Sequence, residues 1–283
     1  MIPQEFQYRR ATSIDEAISL LKESGDEGKF LAGGHSLVPL MKLRLSEPGV
    51  LIDISRIPQL SGITEKEGTI QIGAGVTHAE VASSDLVRRL CPVVSECAAE
   101  IGDPQVRNRG TLGGSLAHAD PAADYPAVMV ALNAEVHIKG PGGWRAVKSG
   151  DFFQDLFTVD LAEDEIIAAV QFRPARNAAY AKLHQRASHY ALVGVAAVLE
   201  MEGRTCRSAS IGITGATGHA QHLANVESAL SGKELTPETI AAAARIAADD
   251  LEEVNVDLHA SEEYRRDMVR VFTKRAVEQA ASR

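Results

Sequence analysis

The chain has 283 residues, with 29 Lys+Arg against 38 Asp+Glu and a formal net charge of −9. At roughly 150 residues per domain this is about two domains, long enough to bury a core without a metal or disulfide staple. The acidic balance argues against nucleic acid, whose phosphates need basic residues, and against an anionic membrane surface. Any phosphate-bearing ligand has to be held locally, by backbone N–H groups or single basic residues.

In chain order, Ser13 and Glu16 read as a capping box, and Ile14, Ala17, Ile18 and Leu21 follow at helical spacing up to Gly25. Lys29–Ala32 reads as a short buried strand turning at Gly33-Gly34, Leu37–Met41 as a short helix and Val50–Ile54 as a strand. Residues 1 to about 55 thus form a small βαβ-like unit. Thr69–Gly73 reads as a strand, Thr77 and Glu80 as a second capping box, and Pro92–Ile101 as a helix. Cys91 and Cys97 fall in this helical pattern as buried thiols. With Cys206 they are too few and scattered for a disulfide framework or a four-thiolate cluster. Asp103–Asp124, rich in Gly, Ala and Asp, reads as a long irregular loop. A short helix (Tyr125–Leu132) and strands near Ala134–Lys139 and Ile166–Phe172 complete this half.

Arg173–Asn177 reads as a linker. Strands over Tyr180–Gln185, Leu192–Met201 and Thr205–Thr214 follow, then three helical patterns, one opened by Thr236-Pro237 and the last by Ser261. Blocks of strands and helices without βαβα alternation indicate an α+β fold. The N-terminus has no apolar signal core, and no apolar run reaches the ~18 residues that span a bilayer. The expected location is cytoplasmic.

Two stretches carry chemistry. In Ala32-Gly33-Gly34-His35-Ser36 a strand runs into two glycines and a hydroxyl residue. Backbone without a Cβ can approach a ligand closely, and successive free N–H groups bind pyrophosphate. Taken alone, such a pair favours a plain tight strand–helix turn. Thr111-Leu112-Gly113-Gly114-Ser115 repeats the pattern, with Asn108 and Arg109 just before it. One pyrophosphate cradled from two sides explains both. In His118-Ala119-Asp120-Pro121-Ala122-Ala123-Asp124 there is no second histidine for a metal site. A helix cap, or a carboxylate accepting from a ribose or a flavin ring, explains the aspartates. A Rossmann fingerprint, a Walker A loop, a His-Glu-x-x-His zinc motif and a Gly-x-Ser-x-Gly elbow are all missing from the sequence.

Ala32–Lys42 and Arg107–Asp124 together resemble the FAD-binding medium subunit of molybdenum hydroxylases, in the branch of carbon monoxide dehydrogenase medium subunits, with xanthine dehydrogenase FAD subunits slightly further away. The resemblance covers essentially the whole chain. It implies a vanillyl-alcohol-oxidase (PCMH)-type FAD-binding domain over residues 1–175, with subdomains 1–55 and 56–175. It also implies a C-terminal domain of a three-stranded antiparallel sheet plus helical bundle over residues 178–283. The implied partners are a molybdopterin-containing large subunit and a [2Fe–2S]-containing small subunit, as a dimer of heterotrimers, with an external electron acceptor. Ala32, Gly33, Gly34, His35, Ser36 and Leu37, with Thr111, Leu112, Gly113, Gly114 and Ser115, would wrap the FAD pyrophosphate. Asp124 would hydrogen-bond the cofactor, Lys182 matches a basic position near the flavin, and Tyr190 matches an aromatic that shields the isoalloxazine. His35 stands where Gln is common, and Ser115 where some relatives have Asn. The competing readings are a stand-alone FAD oxidase, for which residues 178–283 show no catalytic cluster, and a non-catalytic interaction module with structural glycine turns.

Overall fold

The computed structural model describes residues 2–283. Its N-terminal unit is a parallel sheet of β1 (Gln7–Arg10), β2 (Gly28–Leu31) and β3 (Val50–Asp53), ordered β1-β3-β2. Helix α1 (Ile14–Ser24) lays Ile14, Ala17, Ile18 and Leu21 on this sheet, and Gly25 ends it at φ +54°. Ser13 caps α1 by accepting from the Glu16 N–H, but the Glu16 carboxylate reaches back to Thr12 N and Oγ1 rather than to Ser13. The box is therefore one residue wider than the sequence spacing suggests. Helix α2 (Leu37–Lys42) follows the first glycine pair. Strand β1 is absent from the sequence reading because its Gln-Tyr-Arg-Arg residues are all exposed. Pairing with β3 holds it, and Tyr8 Oη donates to Asp53 at the end of that strand.

The second sheet is antiparallel, in the order β4 (Ile63–Lys66), β5 (Thr69–Gly73), β10 (Ile166–Phe172), β6 (Glu135–Gly140) and β7 (Gly143–Lys148). A small β8–β9 hairpin (Phe153–Asp155, Thr158–Val159) and the short helix α9 (Ser149–Phe152) lie between β7 and β10. Helices α3 (His78–Ser83), α4 (Asp85–Leu90) and α5 (Pro92–Glu100) build a core with this sheet, in which Ile70, Ile72, Val136 and Val170 meet Val93, Val94 and Cys97. All three cysteines are free and buried, and burial pushes the Cys91 thiol up to about 12.

Residues 103–124, expected as one long loop, are mostly folded. Asp103 caps α6 (Pro104–Arg107), with Pro104 in its first turn. Thr111 caps α7 (Leu112–His118) by accepting from the Gly114 N–H. Two glycines in the first turn of α7 hide the helix from a propensity reading. Gly113 is required there, since a Cβ would lie 2.4 Å from Ala74 Cβ. Helix α8 (Asp124–Ala131) is buried along its whole length.

The third sheet explains why. Strands β11 (Ala178–His184), β12 (Ala191–Glu202) and β13 (Thr205–Thr214) run antiparallel, with two-residue strands β14 (Gln221–His222) and β15 (Lys233–Glu234) added on β13. Helices α10 (Ala224–Leu230), α11 (Pro237–Arg245) and α12 (Glu262–Ala281) share its second core, which contains Val195, Ile211, Leu230, Ile240 and Phe272. Helix α8 packs closely on β13: a Cβ on Gly212 would lie 2.1 Å from the Ala127 carbonyl oxygen. No helix among the described residues is long and apolar enough to cross a membrane.

A buried ion pair locks β11 to α8. Lys182 Nζ lies 2.8 Å from Asp124 Oδ1 and 2.9 Å from Oδ2, the side chains being only 3% and 5% exposed. Tyr180, two residues away on the same face of the strand, donates to Oδ1 at 2.6 Å. Burial pushes the Asp124 carboxyl upward while Lys182 and Tyr180 pull against it. Breaking such a pair from one side leaves an uncompensated buried charge, at about 3–5 kcal/mol. Asp124→Ala is therefore expected to lower the urea midpoint severely, and the double change Asp124→Asn with Lys182→Met far less. Equal losses in the two variants would show that the pair carries no coupling.

Candidate functional site

The first glycine loop leaves the carboxyl end of β2. Among the described residues, none accepts a hydrogen bond from the backbone N–H of residues 32–37. Six consecutive amides are thus left as donors for an anion, the last two of them at the start of α2, where a helix leaves its first N–H groups unpaired. Gly34 holds φ +74°, which turns the chain back towards α2, where Val38 N donates to Gly34 O. His35 is exposed and its Nδ1 lies 3.3 Å from Gly33 O.

The second loop meets the first directly. A Cβ on Gly33 would lie 2.1 Å from the Arg109 carbonyl oxygen and 2.9 Å from Gly110 Cα. Behind Gly110 stands His78, whose Nε2 would be 2.5 Å from a Gly110 Cβ. The bridge between Thr77 and Thr111 ties this layer down, with His78 N donating to Gly110 O and Leu112 N to Val76 O.

The two loops are not equivalent, which corrects the expectation of two matching amide cradles. In the second, Gly110 N donates to Val106 O, Gly113 N to Ala74 O, Gly114 N to Thr111 Oγ1 and Ser115 N to Thr111 O. Leu112 and Gly113 are buried against the core rather than facing a ligand. Thr111 Oγ1 serves as the helix cap, and Ser115 is half-buried. The first loop offers free donors, and the second supplies a close-packed wall.

A cavity of about 310 Å³ opens beside the first loop, at the carboxyl ends of the parallel strands. Such strand ends are where ligands bind in parallel sheets. Arg10, Asp53, Ser55, Arg56 and Arg109 line it together with Ala32, Gly33 and Gly34. Asp53 is occupied: it accepts from Tyr8 Oη and from Ser55 N, and Arg10 lies 3.4 Å away. Arg56 and Arg109 are exposed basic groups at the mouth. Sequence reading noted Arg109 but missed Tyr8, Arg10, Asp53 and Arg56. The only signal for them was the polar residue pattern flanking β1 and β3.

From the glycine pair, α7 runs about 10 Å at 1.5 Å per residue to Asp120–Ala123. The third sheet grips that segment. Thr214 Oγ1 lies 2.9 Å from Pro121 O and 2.8 Å from Ala123 O and shares its one proton between them, Gly215 N donates to Pro121 O, and Ala191 N to Ala122 O. Tyr190, directly before Ala191, is 46% exposed in the β11–β12 hairpin. Burial, and then Asp120 and Asp124, push its phenol upward. Asp124 and Lys182 differ from expectation. Each occupies the other inside the interlock already described, so as folded neither presents its charge to a ligand.

The residues fit a dinucleotide. Six free amides suit a pyrophosphate, the basic mouth suits its charge, and a half-exposed aromatic stands at the far end of α7. Filling the Gly33 slot separates the loops. Gly33→Ala is expected to weaken FAD retention at least about tenfold while far-UV circular dichroism stays native. Wild-type flavin content in that variant would refute the contact's role.

His78 is 5% exposed, its Nδ1 has no partner, and its ring stacks obliquely 5.3 Å from that of Tyr125. Burial, then the neighbouring His35 and Arg107, push its pKa down to about 4. The folded chain keeps it neutral, whereas the unfolded chain takes up a proton below about 6.5. Its contribution is thus complete above pH 6.5 and is lost as pH falls to about 4. Relative to His78→Asn, the wild-type apo chain should lose up to about 3 kcal/mol across that window, read by urea unfolding. Parallel pH profiles would show that His78 does not titrate this way.

Comparison with known proteins agrees with this arrangement. Residues 4–174 match the family described as the FAD binding domain in molybdopterin dehydrogenase, and residues 178–280 the CO dehydrogenase flavoprotein C-terminal domain. The chain is 38% identical over 286 residues to the carbon monoxide dehydrogenase medium chain of Hydrogenophaga pseudoflava, covering 100% of this chain and 99% of that one. It is 36% identical to the nicotine 6-hydroxylase medium subunit of Paenarthrobacter nicotinovorans, covering 98% of each. The solved carbon monoxide dehydrogenase of Hydrogenophaga pseudoflava that lacks the Mo-pyranopterin moiety superposes with a TM-score of 0.96 at 39% identity, over 100% of this chain and 99% of that one. With both halves matched in order and relatives aligned from end to end, the chain belongs to the FAD-binding medium subunits of the molybdenum hydroxylases, the carbon monoxide and xanthine dehydrogenase family, and is the flavoprotein subunit of an oxidoreductase.

Proposed function

We propose that this chain is the electron-transfer subunit of a three-component molybdenum hydroxylase. A large subunit carrying molybdopterin would oxidise the substrate. A small subunit carrying two [2Fe–2S] clusters would link that site to this chain, and an external acceptor would receive the electrons. The observation that carries the reading is the row of six amides without a protein acceptor, three of whose residues (Ala32, Gly33 and Gly34) line a cavity beside a backbone-on-backbone contact, in a chain of net charge −9. The three cysteines are buried and unpaired, so iron–sulfur ligands would come from a partner.

In this reading the amides of Ala32–Leu37 bind the FAD pyrophosphate, with the Thr111 and Ser115 hydroxyls on the opposite wall. Gly114 keeps that wall low, because a Cβ there would meet only Thr111 Oγ1, at 2.7 Å. Arg56 and Arg109 neutralise phosphate charge at the mouth. Tyr190 covers one face of the isoalloxazine and excludes water from it. Asp124 and Lys182 act behind this surface, holding β11 and α8 at fixed distance. FAD, when bound, supplies the redox chemistry of the subunit. The chain divides near Pro174 into the cofactor-binding part and a C-terminal part whose sheet closes the flavin end.

The relatives' names span carbon monoxide and nicotine as substrates, and the substrate would be set on the large subunit. The purified chain is expected to be yellow and to release FAD, not FMN, on denaturation. In the assembled complex, substrate should bleach the flavin only when the iron–sulfur subunit is present. Substrate turnover with oxygen by the isolated chain would contradict the proposal and favour a stand-alone oxidase.

A further inference from the structure

Arg265 is the fourth residue of α12, far in sequence from both glycine loops, yet its side chain is only 3% exposed. Its Nη1 donates to Leu192 O at 2.5 Å and to Gly215 O at 2.9 Å, and its Nη2 to Asp257 Oδ2 at 2.5 Å. Those two carbonyls belong to the corner where β12 begins and β13 has just ended. The strands press together there so tightly that a Cβ on Gly215, itself at φ +84°, would lie 2.6 Å from Ala191 O. Asn255 Nδ2 adds donors to Gly215 O and Thr217 O.

The same corner also holds the segment that follows α7. Gly215 N donates to Pro121 O at 2.7 Å, and Ala191, next to Tyr190, donates to Ala122 O at 3.1 Å. A buried cation is a costly way to fasten a helix, and an apolar side chain of similar size packs there at less expense. What the guanidinium supplies and an apolar group does not is a planar fork that fixes two carbonyls and a carboxylate in one geometry. Its Nε has no acceptor, so its orientation is set by the carbonyls and Asp257 alone.

We infer that Arg265 is a positioning residue for the cofactor site: by bridging Leu192 and Gly215 it sets the placement of Tyr190 and of Pro121–Ala122 against the isoalloxazine. The inference rests on the proposed place of the flavin beside Tyr190. The test uses the full-length chain loaded with FAD and reads flavin fluorescence and the visible spectrum at matched FAD content. Lysine keeps the charge but cannot span both carbonyls and Asp257. Arg265→Lys should raise bound-flavin fluorescence at least twofold, because an aromatic stacked on the flavin quenches it. Tyr190→Leu should do the same, and Arg265→Lys should add nothing in the Tyr190→Leu background.

If Tyr190→Leu leaves the flavin signal unchanged, the flavin position fails and the inference falls with it. A response to Tyr190→Leu but none to Arg265→Lys overturns the role of Arg265 alone, as does an Arg265→Lys effect that persists undiminished in the double variant. Should Arg265→Lys not fold, Asp257→Asn removes only the fork's anchor, and the same comparisons apply at smaller amplitude.

Discussion

Backbone touching backbone at Gly33 is the constraint on which the site depends. A Cβ there would fall 2.1 Å from the Arg109 carbonyl oxygen, a distance no side-chain adjustment relieves. The contact joins the parallel N-terminal unit to the layer carrying α6 and α7. Beside it, the amides of residues 32–37 have no acceptor among the described residues. Close approach and free donors meet at one residue: Gly33 admits the neighbouring backbone, and its own N–H has no protein acceptor.

Helix α8 plays the corresponding part for the other end. It is buried on all sides because the second sheet's helical layer lies on one side and β13 on the other. A helix so placed has no polar face to orient it, so its register must come from specific contacts. Asp124 with Lys182 and Tyr180, and Thr214 with the carbonyls of Pro121 and Ala123, provide them at its first turn. The ion pair costs desolvation, and a hydrophobic pair of the same volume would hold the elements together at least as firmly. What the charges add is direction, since only one placement of β11 brings Lys182 and Tyr180 onto the same carboxylate.

Signals confined to a few residues were legible. Ser13, Thr77, Thr236 and Ser261 each cap a helix, although only Thr77 closes the full box its spacing suggests, and Thr205–Thr214 is a strand over its full expected range. The glycine motifs and their resemblance to a flavoprotein family were equally local. What stayed hidden depends on partners far along the chain. Strand β1 has no buried residue and exists because β3, 43 residues on, pairs with it. The amides of Gly113 and Leu112 look as free in sequence as those of Gly33 and Gly34, but Ala74 and Val76 consume them. Asp124 looks like a ligand contact until Lys182, 58 positions away, closes on it.

Net charge behaves in the same divided way. An excess of nine negative charges repels a pyrophosphate at long range, and salt screens most of that within about 10 Å. Inside the groove the local count is reversed. Asp53 is neutralised by Arg10 and by two neutral donors, while Arg56 and Arg109 stand at the mouth without a carboxylate partner among the described residues. Amide dipoles add positive potential at fixed positions, with no ammonium or guanidinium to desolvate in the cradle itself. An acidic surface and a phosphate site therefore coexist because binding is decided over a few ångströms, where oriented N–H groups outweigh the distant field.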